Sequence, residues 1–262
     1  LQFKYSEYSL FLATSYTSVM SLIYGIHAVE EALAARGRGF EYVAVAAGRG
    51  DTRLQKIAQL CRTAGVPVRI MPRDQLTRLA NTGSHQGVVA VTAEKQYEDL
   101  DDLLKNKRGQ FNFLLVLDGV EDPHNLGAII RTAEGAGADG IVIPERRATG
   151  VTATVVKTSA GASEYLPLAK VTNISRSIEE LKSHNIWTVG LDERGNQLYD
   201  QLDYKMDCAI VLGAEGRGLH QHVRDKCDYL VSIPMLGKVA SLNVSVAAAV
   251  VIYEVARQRR SK

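Results

Sequence analysis

Apolar and polar positions along this chain fall into blocks whose period switches between strand and helix. Residues 23–35, IYGIHAVEEALAA, place Ile26, Val29, Ala32 and Leu33 on one face of a predicted helix. The run YVAVAAG (42–48) predicts a buried strand. RLQKIAQLCRTAG (53–65) predicts an amphipathic helix stopped by Gly65. A strand at 66–71, a short helix at 73–81 and a strand at 87–93 complete a small α/β/α unit. The next stretch, EKQYEDLDDLLKNKRGQ, is charged and weakly helical, and is read as a linker.

A second series begins with FLLVLDGV (113–120), a strand. A turn follows, then a helix from about Leu126 to Ala136 and a strand at 140–143. NISRSIEELKSHN predicts a helix, with Ser177 and Glu180 at capping-box spacing if it starts there. IWTVGLD, CAIVLG and YLVSIPM are further strands, and the last element is a helix rich in valine and alanine. Alternation of strand and helix predicts an α/β fold with a parallel sheet covered on both faces. The expected division is an N-terminal extension (1–20), a small α/β domain (21–95), a linker (96–112) and a larger domain (113–262).

Charge sharpens the division. Residues 21–95 hold ten Lys/Arg against six Asp/Glu, a net of +4, whereas residues 113–262 hold seventeen against eighteen. The smaller unit is the basic one, which suits a nucleic-acid-facing module and is also common on solvated surfaces. Cys61, Cys208 and Cys227 are sparse and far apart, which argues against a disulfide framework or a zinc site and suits a reducing cytosol. No apolar run approaches the ~20 residues that span a bilayer. The first nineteen residues, rich in Tyr and Ser, have no helical or strand period. They are expected to lie upstream of a natural start at Met20 rather than to form a signal peptide.

Ligands of an open parallel sheet bind at the carboxyl ends of its strands, and three strand-end loops here carry unusual chemistry. In DGVEDPHNLGAIIRTAEGAG, Asn125 is placed to cap a helix or to serve a site. Arg131 sits among Ile129, Ile130 and Ala133, where a buried or cleft-facing guanidinium needs a partner. In IVLGAEGRGL, Gly213, Gly216 and Gly218 surround Glu215 and permit close backbone approach. In IPMLGKVASLNVSVAAAV, Ser241 and Asn243 flank Leu242 at a helix N-terminus, where free N–H groups and the dipole favour negative charge. Neither a dinucleotide fingerprint nor a P-loop is present.

With these loops in order, the chain resembles the SpoU-type (TrmH) RNA 2′-O-ribose methyltransferases of the SPOUT superfamily. The front unit, through YGIHAVEEAL and HQGVVA, is similar to the N-terminal domain of bacterial 23S rRNA guanosine 2′-O-methyltransferases, an RNA-binding fold like ribosomal protein L30e. The likeness runs from about residue 23 to 260. It implies a C-terminal trefoil knot, a homodimer with its active site near the interface, and S-adenosylmethionine held largely by backbone at Gly213, Ile233 and Leu242. It also implies a 23S rRNA substrate in the cytoplasm, with no metal and no membrane. Arg131 becomes the group that activates the ribose 2′-oxygen, by electrostatics rather than as a base, since guanidinium stays protonated. Asn125, Glu215, Ser241 and Asn243 orient Arg131, the loops and the ribose. Lys238 departs from the small residue expected there, and either meets a phosphate or faces solvent. The rival readings are tRNA or an rRNA adenosine as substrate, or a non-catalytic RNA-binding protein.

The last helix is apolar on two faces: Val244, Ala247, Ala248, Val251 and Val255 on one, and Val246, Ala249, Val250 and Tyr253 on the other. The resemblance explains the second face as a dimer surface.

Overall fold

The structure, a computed structural model, describes residues 20–48 and 51–260. The expectation for residues 1–19 lies outside the described residues. Two sheets organise the rest. The first has four strands, β1 (Met20–Tyr24), β2 (Phe40–Ala46), β3 (Val68–Met71) and β4 (Val88–Ala93), in the order β1-β4-β2-β3. Helices α1 (Ile26–Ala35) and α2 (Thr52–Ala64) share one core with Val43, Val45 and Ala90; α3 (Arg73–Ala80) buries Leu76 on the other face.

The predicted helix over 23–35 is corrected here. Residues 20–24 form a strand antiparallel to β4, and the helix starts only at Ile26. Gly25 divides them with a φ of 97°, a left-handed value that favours glycine. Gly65 stops α2 as expected, with φ 69° and amide bonds back to Arg62 and Cys61.

The second sheet is fully parallel. Its strands are β5 (Phe113–Asp118), β6 (Gly140–Pro144), β7 (Leu168–Val171), β8 (Trp187–Leu191), β9 (Gln197–Leu198), β10 (Cys208–Gly213) and β11 (Tyr229–Ser232), ordered β7-β6-β5-β10-β8-β11-β9. Every residue of β5 and β10 is buried, as their unbroken apolar runs require of central strands covered on both faces. Helices α5 (Pro123–Gly135) and α9 (Val244–Arg260) cover one face; α4 (Leu100–Lys105), α7 (Ile174–Ser183) and α8 (Gln221–Arg224) cover the other. The stretch read as a linker contains α4, whose Leu100 and Leu103 enter the second core. A further helix, α6 (Ala153–Thr158), was not foreseen; it packs between the two sheets' helices.

Two caps differ from expectation. Helix α5 begins three residues before Leu126, with Pro123 in its first turn and Asp122 as N-cap, accepting from the His124 amide at 3.0 Å. Helix α7 is capped by Asn173 rather than by a Ser177–Glu180 box; the Ser177 hydroxyl donates back to the Asn173 carbonyl. No helix among the described residues is long and apolar enough to cross a membrane.

Candidate active site

The chain order reverses between β5 and its neighbour β10, and the strand ends beside such a switch point are where a crevice opens. A cleft of about 650 Å³ lies on the β10 side of this point, over the ends of β10, β8 and β11, within the usual range for a small-molecule site. Its walls are the loops after β8, β10 and β11 and the first turn of α9. Gly213, Ile233, Ser241 and Leu242 all line it.

Gly213 ends β10 under the returning chain. A Cβ there would sit inside the backbone of Gly218 and Leu219, so only glycine lets the strand end pass beneath its own loop. That loop is closed by paired backbone bonds between Ala214 and Gly218, at 3.1 and 3.0 Å, with Gly216 and Gly218 both at positive φ. The turn projects Glu215 towards α5 and α9.

There the predicted polar residues meet. Asn125 is buried, on the first turn of α5, and its amide donates to Glu215 Oε2 at 3.0 Å. Asn243 donates to Asn125 Oδ1 at 3.0 Å and to Glu215 Oε1 at 3.3 Å. Asn243 also caps α9: its Oδ1 accepts from the Ser245 amide at 2.9 Å, and its carbonyl accepts from the Ala247 amide. That cap fixes the amide orientation, because the oxygen must face the helix and the nitrogen the carboxylate. The three residues differ in their hydrogen bonding. Asp122 rather than Asn125 caps α5, Asn243 both caps α9 and joins the polar triangle, and Ser241 is an exposed cleft wall outside that triangle.

Arg131 is the exception. It is exposed on α5, makes no hydrogen bond or ion pair within the described chain, and does not line the cleft. The expectation of a buried or cleft-facing guanidinium with a partner is corrected. Six residues separate it from Asn125, which in an α-helix turns the side chain about 240° away and shifts it about 9 Å along the axis.

The loop after β8 was missed. Asp192, with its side chain 2% exposed, accepts from the Arg194 amide and Nε, both at 2.9 Å, and Arg224 approaches to 3.8 Å. Burial pushes its carboxyl pKa up, but the bonds from Arg194 and the charge of Arg224 outweigh this and hold it below the usual value. The signal was available in LDERGN: an Asp two residues before an amide in a glycine turn is an Asx-turn pattern. Among the described residues no cluster of His, Cys, Asp and Glu is placed to hold a metal ion.

A parallel sheet with a strand-end cleft, glycine-edged loops and a pair of asparagines on a glutamate has the form of a small-molecule site in an α/β enzyme. Its relatives give it a family. Residues 112–253 match the SpoU rRNA Methylase family, and residues 22–98 match the substrate-binding domain of RNA 2′-O ribose methyltransferases. A Bacillus subtilis protein described as a TrmH family tRNA/rRNA methyltransferase, YacO, is 48% identical over 78% of this chain and 83% of its own. The SpoU methyltransferase AviRb from Streptomyces viridochromogenes, solved with AdoMet, is 28% identical and superposes with a TM-score of 0.78, covering 93% of this chain and 92% of that one. A structure described as an RNA 2′-O ribose methyltransferase is also 28% identical, with a TM-score of 0.77 over 93% of this chain and 90% of that one. The chain belongs to the SpoU (TrmH) family of RNA 2′-O-methyltransferases, which use S-adenosylmethionine.

Proposed function

We propose that this enzyme methylates the ribose 2′-hydroxyl of a guanosine in 23S rRNA, acting in the cytoplasm as a homodimer with a knotted C-terminal half. The observation that carries the reading is the Asn125–Glu215–Asn243 triangle at the rim of the cleft. It ties the loops after β5, β10 and β11 into one surface. The separate basic module at the front supports a large structured RNA as substrate.

Gly213, Ile233 and Leu242 line the cleft, and the glycine lets backbone come close to a ligand there. These residues fit S-adenosylmethionine held mainly by main chain. The cofactor supplies an electrophilic methyl group on a sulfonium. A ribose hydroxyl must lose its proton as it attacks, so the protein must align the oxygen and stabilise its growing negative charge. The amide groups of Asn125 and Asn243 and the Ser241 hydroxyl orient the ribose and the loops, and Glu215 holds both amides in place. Arg131 stabilises the oxyanion as a fixed positive charge.

Arg131 is exposed and does not line its own chain's cleft, and its service is to a site completed by a second copy. The exposed face of α9 supports that assembly: Val246 and Tyr253 are each 49% exposed, while the opposite face, at Ala248, Val251 and Val255, is buried in the core. Mapping 2′-O-methylation across rRNA and tRNA, with and without the protein, tests the reading. One new guanosine mark in 23S rRNA is expected; a mark confined to tRNA or to an adenosine overturns it.

A further inference from the structure

The front module is bolted to the catalytic sheet. Arg38, beyond the end of α1, forks onto Glu164 with Nε to Oε2 at 2.9 Å and Nη2 to Oε1 at 2.7 Å; each side chain is 1% exposed. Around this pair, Lys95 donates to the Glu164 carbonyl, and Tyr165 donates to Glu31 at 2.6 Å. The Tyr97 hydroxyl accepts from the Val151 amide at 2.8 Å, and Lys157 donates to the Ser84 carbonyl at 2.8 Å. Gly161, at φ 87°, lies so close to α1 that a Cβ would overlap the Glu31 side chain. The contact continues inward. Gly127 on α5 meets α6 so tightly that a Cβ would lie 2.7 Å from Thr158 Cβ. An unbroken packed path thus runs from α1 through residues 161–164 and α6 to α5, the helix that carries Asn125.

A module that only raised the local concentration of RNA would work on a loose tether. Burying an ion pair carries a desolvation cost, and here the Arg38 Nη1 is also buried without a partner. A buried pair is weak evidence of net stability, whereas its two-point fork requires one relative placement of the two side chains. We propose that Arg38 and Glu164 are positioning residues that lock the front module in one orientation, so that the fixed span from its RNA-holding surface to the cleft selects which nucleotide is methylated. This rests on the RNA methyltransferase reading above.

The test uses the full chain with Arg38→Glu, Glu164→Arg, the double swap, and the milder Arg38→Lys, which keeps the charge but loses the fork. Spin-label distances between α2 and α7 report docking, methylation mapping on rRNA reports site choice, and cofactor affinity is measured in parallel. Each single swap is expected to broaden the distance, raise KM for RNA about tenfold and add methylated sites, with cofactor affinity unchanged; the double swap recovers all three. Broadened distances with an unchanged methylation map overturn the proposal, as do unchanged distances in folded single swaps. If the single swaps do not fold, Arg38→Lys decides by the same criteria. A wild-type chain that methylates no RNA overturns the RNA reading instead, while the distances still decide whether the pair locks the module.

Discussion

Asn243 donates to Asn125 at 3.0 Å and to Glu215 at 3.3 Å with the same nitrogen, while its oxygen caps α9. One side chain thus fixes a helix start and joins three loops. Asn243→Asp separates the two roles, because Asp caps a helix as well as Asn does. A cap alone predicts normal behaviour. The network predicts a second carboxylate facing Glu215, with no donor left for Asn125. Methyl transfer in single turnover is expected to fall on the order of a hundredfold, with thermal stability changed little; unchanged turnover would reduce Asn243 to a cap.

Gly213→Ala should damage the cleft rather than the chemistry. The new methyl would enter the Gly218–Leu219 backbone, which has no flexible end to give way. A loss of about 1–3 kcal/mol by urea unfolding is expected, with cofactor binding by calorimetry weakened at least tenfold. Wild-type cofactor affinity in this variant would remove Gly213 from the site.

Arg131→Ala should lower methyl transfer by orders of magnitude and leave cofactor affinity nearly unchanged, because Arg131 does not line the cleft of its own chain. Mixing Arg131→Ala with a cleft-defective Gly213→Ala chain adds a second readout. If the guanidinium serves a partner's site, mixed dimers regain some turnover; near-normal activity of Arg131→Ala alone refutes its role.

The large sheet was legible because its central strands are unbroken apolar runs, and the three loops because glycine and amide side chains cluster at strand ends. What failed had competing signals. Ile23 and Tyr24 fit the helical stripe of α1 well enough to hide β1, although Gly25 marked the break. Helix α6, ATVVKT, is β-branched and reads as strand by propensity; tertiary packing against α5 and β1 makes it helical. Asn125 looked like a cap because it preceded the apolar run, yet Asp122-Pro123 was the stronger start signal. The surroundings of Arg131 were not legible because helical neighbours in sequence face different directions. Its apolar neighbours Ile129 and Ile130 are buried, while Arg131 itself faces solvent.

Acid should loosen the join between β8 and β11. Asp228 accepts from the Thr188 hydroxyl at 2.7 Å and pairs with Lys182 at 2.9 Å. Burial raises its carboxyl pKa, but the hydrogen bonds from Lys182 and Thr188 outweigh this, so the folded value lies below the usual 3.8. A depressed folded pKa stabilises the protein above the unfolded value and loses that stabilisation as pH falls through the folded one. The urea midpoint should therefore hold from pH 7 down to about pH 5 and drop below pH 4. In Asp228→Asn the midpoint should be lower at pH 7 and fall less steeply in acid; parallel curves for the two proteins would show that Asp228 contributes nothing to the acid loss.

The proposed homodimer would form through the exposed face of α9. Val246 and Tyr253 are seven residues apart, two turns along one face, and Tyr253 lies beside Gly135 at the end of α5. Placing a charge in the middle of such a face leaves it desolvated and unpaired on association, at several kcal/mol for two symmetric copies. Val246→Glu is expected to sediment as a monomer at micromolar concentration, keep its thermal melt because Val246 is outside the core, and lose methyl transfer with the dimer. Raising the protein concentration should restore both together. A Val246→Glu chain that remains dimeric would move the interface elsewhere, and a fully active monomer would place Arg131 outside the partner's reaction.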